Sequence, residues 1–296
     1  MKIEKLLFAT KFEELWLDAL QSLMGLRKAD LNHVVFLNVI ERNKVAMHRG
    51  AGYQKGEEVK LREMANVRFI EWAEGLFEQG MEVGVYIVVG SLLREITSAV
   101  EKEDIDLVVM GHQKKRNIEI LLSGSEITEL LRRTSTPVLV YKYMLDTGKV
   151  NEGPFDRPLL TMDWSPASQR AVKYLSTLKN VIQKIRIIHV VKDKLLDGLS
   201  AMEVQKFRKE NRQKLDKVCE IFEAEGIDAE PYFCIGNVIT EIEKAAIEFK
   251  ASMIVAGATG KGTLKERWLG SIPMELAEKS VFPTLLVPSE SKPSGS

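Results

Sequence analysis

The chain carries one unit twice. Gly111 and the pair Gly124-Ser125 recur 146 positions later as Gly257 and Gly270-Ser271. Gly90 and Gly236 stand at the same separation, as do Pro137 and Pro283. A fixed offset of 146 at four landmarks in 296 residues marks an internal duplication. It restricts the fold to two like domains of about 150 residues, each large enough to bury roughly 70% of its unfolded surface. Domains are expected at 1–146 and 156–290, joined through Thr147 to Pro158, a stretch with two glycines and two prolines.

Each half alternates short apolar runs with helix-length stretches. In the first half the runs are Leu6 to Thr10, His33 to Val39, Val83 to Val89, Leu107 to Met110 and Val138 to Tyr141. In the second they are Leu159 to Met162, Ile185 to Val191, Ala229 to Ile235, Met253 to Ala256 and Thr284 to Val287. Apolar runs this short suit parallel strands buried on both faces. The helical stretches between them predict right-handed crossovers and an α/β fold. The spacing predicts a long helix ending near Gln79, with Leu61, Met64, Ala65, Ile70, Ala73 and Phe77 turned inward. The helix from Met202 to Glu225 is expected to bury Val204, Phe207, Leu215, Val218 and Phe222.

Lys+Arg and Asp+Glu both number 42, so the net charge is zero. That argues against general binding to nucleic acid or anionic membrane. No apolar run is long enough to span a bilayer, and the first residues enter a strand without a signal-peptide layout. Cys219 and Cys234 read as reduced structural thiols of a cytoplasmic protein. The four histidines pair with no cysteine or carboxylate at metal-ligand spacing. His189, inside an apolar strand, reads as core.

In such sheets ligands bind beyond the C-terminal strand ends. In the second half that region collects Asp163, Val190, the loop Gly257-Ala-Thr-Gly260 and the helix start Gly270-Ser271. A carboxylate can hold ribose hydroxyls, and bare backbone N–H groups at a helix N-terminus suit phosphate. The two standard phosphate fingerprints fail here: Gly-x4-Gly-Lys-Ser/Thr is absent, and Gly260-Lys-Gly-Thr lacks the third glycine of Gly-x-Gly-x-x-Gly. A strand, glycine loop and helix also occur in many α/β folds that bind nothing. Lys261 either folds over phosphates or faces solvent.

The long-spaced motif Gly257-x2-Gly260-x9-Gly270-Ser271 resembles the ATP-binding motif of the universal stress protein family, in its tandem form. Leu-Leu-Thr-Met-Asp163-Trp-Ser, Ile188-His189-Val190-Val191 and Ser280-Val-Phe-Pro283-Thr-Leu-Leu-Val-Pro288 are similar to that family's first, second and last strands. The resemblance implies two Rossmann-like domains, each a five-stranded parallel sheet of order 3-2-1-4-5 flanked by helices. It implies that they pack as an intramolecular pseudo-dimer through their last strands. It further implies that Asp163, Val190, Gly257, Gly260, Gly270 and Ser271 line an ATP pocket. The site as read here also takes in Thr161, Met162, Ala256, Lys261 and Ile272 beside them. Mg²⁺ on the phosphates is expected, held by phosphate oxygens and water. Trp164 departs from the family's glycine, so its indole either crowds the pocket or packs elsewhere.

The first copy differs. Lys11 stands where Asp163 does, Lys114 where Gly260 does, and Glu126 and Glu129 follow Ser125. A lysine cannot accept hydroxyl hydrogens, and acids in a first helical turn repel phosphate. The expectation is one nucleotide site, in the second half, with the first half a structural partner or a site for another anion. The functional reading is an ATP-binding stress-response regulator. The alternatives are a nucleotide-independent interaction scaffold and a slow ATP hydrolase, the last with no base or nucleophile visible in the sequence. An unidentified protein partner and either a monomer with internal pseudo-dimer or a homodimer are compatible with it.

Overall fold

The computed structural model describes residues 2–10, 16–45, 53–111, 124–142, 151–258 and 271–289. The first half runs β1 Lys5–Ala9, α1 Trp16–Leu23, β2 His33–Glu41, α2 Arg42–Val45, α3 Lys55–Phe77 and β3 Glu82–Gly90. It continues with α4 Leu92–Glu103, β4 Leu107–Gly111, α5 Gly124–Arg133 and β5 Val138–Tyr141. The second half runs β6 Pro158–Thr161, α6 Pro166–Ser176, β7 Lys184–Val191, α7 Ala201–Glu223 and β8 Asp228–Ile235. It ends with α8 Val238–Phe249, β9 Met253–Ala258, α9 Ser271–Lys279 and β10 Thr284–Pro288.

All ten strands form one sheet, ordered β3-β2-β1-β4-β5-β10-β9-β6-β7-β8. Each half is parallel in the order 3-2-1-4-5, and the halves meet where β5 pairs antiparallel with β10 through Leu139↔Leu285. That junction removes two edges. It also lets one core run across both halves, with Leu139, Tyr141, Phe155, Tyr174 and Leu285 in a single cluster. The duplication reaches the backbone: Asp104 and Lys250, 146 apart, both end their helices in left-handed conformation, at φ 52° and 54°.

Two expectations need correction. Helix α3 turns Ala65, Phe69, Trp72, Ala73 and Leu76 inward, whereas Met64, Ile70 and Phe77 are more than half exposed. The aromatic rings decide this. Phe69 stacks on Phe36 at 4.9 Å, and Trp72 packs edge-on against Phe36 and Phe8. In α7, Leu215, Val218 and Phe222 are buried as expected, but Val204 and Phe207 lie on the helix's outer turns and are only half-buried. From Asn151 on, the connection between the halves packs against the second domain. Phe155 is buried, and the Asn151 side chain donates to the Ser252 carbonyl at 2.9 Å. Cys219 and Cys234 are free thiols, and burial pushes their pKa values up to about 12 and about 11, which keeps them protonated and unreactive.

Candidate functional site

The C-terminal ends of β6, β7 and β9 open onto a cleft of about 310 Å³ in the second half. Thr161, Met162, Asp163, Val190, Gly257 and Ile272, all picked out from sequence, line it. Ala256 does not: it is fully buried in β9 and packs toward Val138 and Leu286. Gly260, Lys261 and Gly270 lie outside the described residues, as do Lys11, His112 and Lys114 of the first half. Ser271 is the first residue of α9. The next two, Ile272 and Pro273, face the cleft, which directs this helix start toward it.

Six lining residues escaped the sequence reading: Ser165, Ile188, His189, Val238, Ile242 and Pro273. Val238 and Ile242 stand one turn apart on α8, which reaches the cleft only through the crossover from β8. With Ile188, Val190 and Ile272 they give the cleft a mainly apolar wall and leave its polar groups at the β6 end. There Asp163 is exposed, and its Oδ1 accepts from the Ser165 amide at 3.0 Å and the Ser165 hydroxyl at 2.6 Å. Ser165 in turn caps α6, whose Pro166 supplies a preset first turn.

Trp164 adopts φ 67°, a conformation that glycine takes freely and that strains other residues. Its indole does not line the cleft. It packs on the His189 ring at 5.4 Å and against the core. Gly257 has a packing reason to be glycine, beyond any role toward a ligand. A Cβ there would meet the Ser168 amide nitrogen at 2.3 Å and the Ala167 carbonyl carbon at 2.6 Å.

His189 is not simply core. It is half-buried, lines the cleft, and bonds through Nδ1 to the Met162 carbonyl at 2.7 Å. A carbonyl only accepts, so Nδ1 carries the proton. Burial lowers the pKa of the ring, against the opposing pull of the Met162 carbonyl and Asp163. The first half makes the same strap with another residue. Ala9 pairs with Leu37 as Thr161 pairs with Ile188, and the next residue, Asn38, donates from Nδ2 to the Thr10 carbonyl at 2.9 Å. His189→Leu should therefore cost about 1–3 kcal/mol by leaving the buried Met162 carbonyl unpaired. His189→Asn should cost clearly less. Urea unfolding of both variants checks this, and equal losses would dismiss the strap.

At the same place in the first half the described wall is more deeply buried. Val39 and Leu92, at the positions of Val190 and Val238, are 6% and 9% exposed, whereas the second-half pair is half-buried. Glu126 stands exposed in the first turn of α5, at the position of Ile272. Glu129 does not serve that turn as expected. It lies deeper in α5 and holds Arg133 at 2.8 Å, one helical turn on. A larger cleft of about 400 Å³ lies beyond the N-terminal end of β4. Its rim carries Glu101, Asp104 and Asp106 against one basic residue, Arg133, a poor surface for phosphate.

Residues 2–142 and 154–288 each match the model of the universal stress protein family. A universal stress protein of Methanocaldococcus jannaschii is 29% identical over 153 residues, covering 47% of this chain and 94% of that protein. Universal stress protein YxiE of Bacillus subtilis is 27% identical over 146 residues, covering 45% of this chain and 99% of that protein. The solved structure of a universal stress protein from Archaeoglobus fulgidus covers 98% of both chains with a TM-score of 0.72 at 22% identity, a likeness of fold. No described helix is long and apolar enough to cross a membrane.

Proposed function

The chain belongs to the universal stress protein family, in tandem form, and we propose that its second half binds ATP as the regulatory input of a stress-response protein. The observation that carries this is the asymmetry of the two strand-end clefts. The second-half cleft is open, apolar-walled and edged by a carboxylate, while its first-half counterpart is walled by buried Val39 and Leu92. A cleft of about 310 Å³ falls at the lower end of the roughly 300–1,000 Å³ usual for small-molecule sites. The apolar wall suits a purine. Asp163, with Oδ1 committed to Ser165, keeps Oδ2 for a ribose hydroxyl. The start of α9 offers amide donors to phosphates, together with the loop holding Gly260, Lys261 and Gly270. Mg²⁺ would rest on phosphate oxygens and water. The protein is read as cytoplasmic, as a binder rather than an enzyme, and as domains 1–146 and 156–290 about the β5·β10 junction.

Calorimetric titration tests the reading. Wild type is expected to bind one ATP per chain. Asp163→Ala should weaken binding by about tenfold, the loss of one hydrogen bond to a charged acceptor. Val238→Trp, which fills the slot, should abolish it. No binding by wild type leaves the nucleotide-independent scaffold standing. Two ATP per chain overturns the reading of the first half, and conversion of bound ATP to ADP over hours makes the protein a hydrolase.

A further inference from the structure

Helix α3 carries a second apolar stripe that is exposed among the described residues. Val59, Met64, Val67, Ile70 and Phe77 are 42–59% exposed, on the side turned away from Phe69 and Trp72. At about 100° per residue, Val59, Ile70 and Phe77 fall within about 20° of one another, Val67 lies about 80° on and Met64 about 140° on. The duplication supplies an internal control. Helix α7 is the same helix 146 residues later, and at these five positions it has Gln205, Glu210, Gln213, Asp216 and Glu223. The buried positions keep their apolar character: Phe69, Trp72 and Leu76 become Leu215, Val218 and Phe222. The fold therefore accepts a polar outer face at this helix, and the exposed apolar residues of α3 serve something outside the domain.

The geometry points to an amphipathic helix with basic flanks as the partner that lies along α3. The charged residues inside this arc are Glu63, Glu71, Glu74 and Lys60, with Arg68 about 40° beyond Met64, so carboxylates outnumber cations along it. This pattern of apolar residues and carboxylates is complementary to leucine-type anchors flanked by Lys or Arg. It disfavours a second copy of the chain. Antiparallel self-pairing that sets Val59 against Phe77 also brings Glu63 beside Glu74, and parallel pairing sets each glutamate against itself. It equally disfavours an anionic lipid surface. The inference is independent of nucleotide binding.

The test uses the full chain and two synthetic 18-residue helical peptides with the same leucine ridge, one flanked by lysines and one by glutamates. Fluorescence anisotropy should show the lysine peptide binding at least tenfold more tightly. The variant Val59→Gln, Met64→Glu, Val67→Gln, Ile70→Asp, Phe77→Glu installs the α7 residues. It should bind the lysine peptide at least tenfold more weakly at an unchanged melting temperature. Should that variant fail to fold, Glu63→Lys with Glu74→Lys leaves the apolar residues in place and should reverse the preference toward the glutamate peptide. Equal affinity for both peptides, unaltered binding by the five-residue variant, or no reversal overturns the proposal. So does a wild-type dimer by light scattering that the five-residue variant dissolves, or wild-type binding to phosphatidylserine vesicles that the variant loses.

Discussion

Gly257→Ala is expected to destabilise the protein by at least about 3 kcal/mol, the upper part of the range for overpacking. The added methyl would sit 2.3 Å from the Ser168 nitrogen, 2.6 Å from the Ala167 carbonyl carbon and 2.8 Å from the Ser168 Cα. All three atoms are backbone of α6, so no side chain can rotate away. Either β9 or the start of α6 must shift, and both lie in the buried sheet-helix layer. The shift would also carry Ser165 and its bond to Asp163, so nucleotide affinity should fall with stability. Gly75→Ala provides the contrast. Nothing lies within 4 Å of a Cβ there, and the residue is in the interior of α3, so it should be neutral or stabilise by up to about 1 kcal/mol. Urea unfolding measures both. A Gly257→Ala protein within about 0.5 kcal/mol of wild type would show that helix and strand are not pressed together as described.

The second large effect is expected at Lys142. This lysine follows β5 of the first half, is only 6% exposed, and donates from Nζ to the Ser280 carbonyl and, at 3.5 Å, to the Leu276 carbonyl of α9. It thus places a positive charge from one half on the negative end of a helix in the other. Lys142→Met keeps most of the aliphatic volume but leaves those buried carbonyls without their charged donor. The Leu276 carbonyl keeps the Ser280 amide and the Thr284 hydroxyl, so the loss falls on the Ser280 carbonyl and is about 1–3 kcal/mol. The pseudo-two-fold mate of Lys142 is Pro288, which offers no donor. On that side Arg170 of α6 does the work, donating from one Nη to the Ser135 and Pro288 carbonyls, both at 2.7 Å. The halves are joined by different cations at equivalent places. Chemical denaturation of Lys142→Met checks the prediction, and wild-type stability would show that the contact of Lys142 with the end of α9 adds nothing to the joining of the halves.

Part of the candidate cleft's lining was legible because it is local. Asp163, Val190 and Gly257 each end a short apolar run, and strand ends converge in a parallel sheet whatever else the chain does. His189 was misjudged because an imidazole in an apolar run looks the same whether it fills core or reaches across to the Met162 carbonyl. Only the register of β6 against β7 tells them apart. Val238 and Ile242 were missed because their helical spacing is that of any core-facing helix, and the cleft happens to cut into that face. At Gly257 the sequence left a ligand role and a merely structural turn both open, since a glycine that admits a neighbouring helix leaves the same mark as one that admits a ligand.

The amino-acid sequence by itself determined the duplication, the α/β class and which strand ends would meet. Those follow from the offset of 146 and from runs whose burial is dictated residue by residue. Tertiary structure alone decided which of two apolar stripes on α3 turned inward, and how deeply equivalent residues at two strand ends are buried. The reason is physical. Phe69 and Trp72 won the inner side because Phe36 and Phe8 were there to receive them. A helix with two apolar faces carries no record of which neighbour it will meet. Likewise Val39 and Val190 read alike in the chain, and only their surroundings bury one and leave the other at the wall of a cleft.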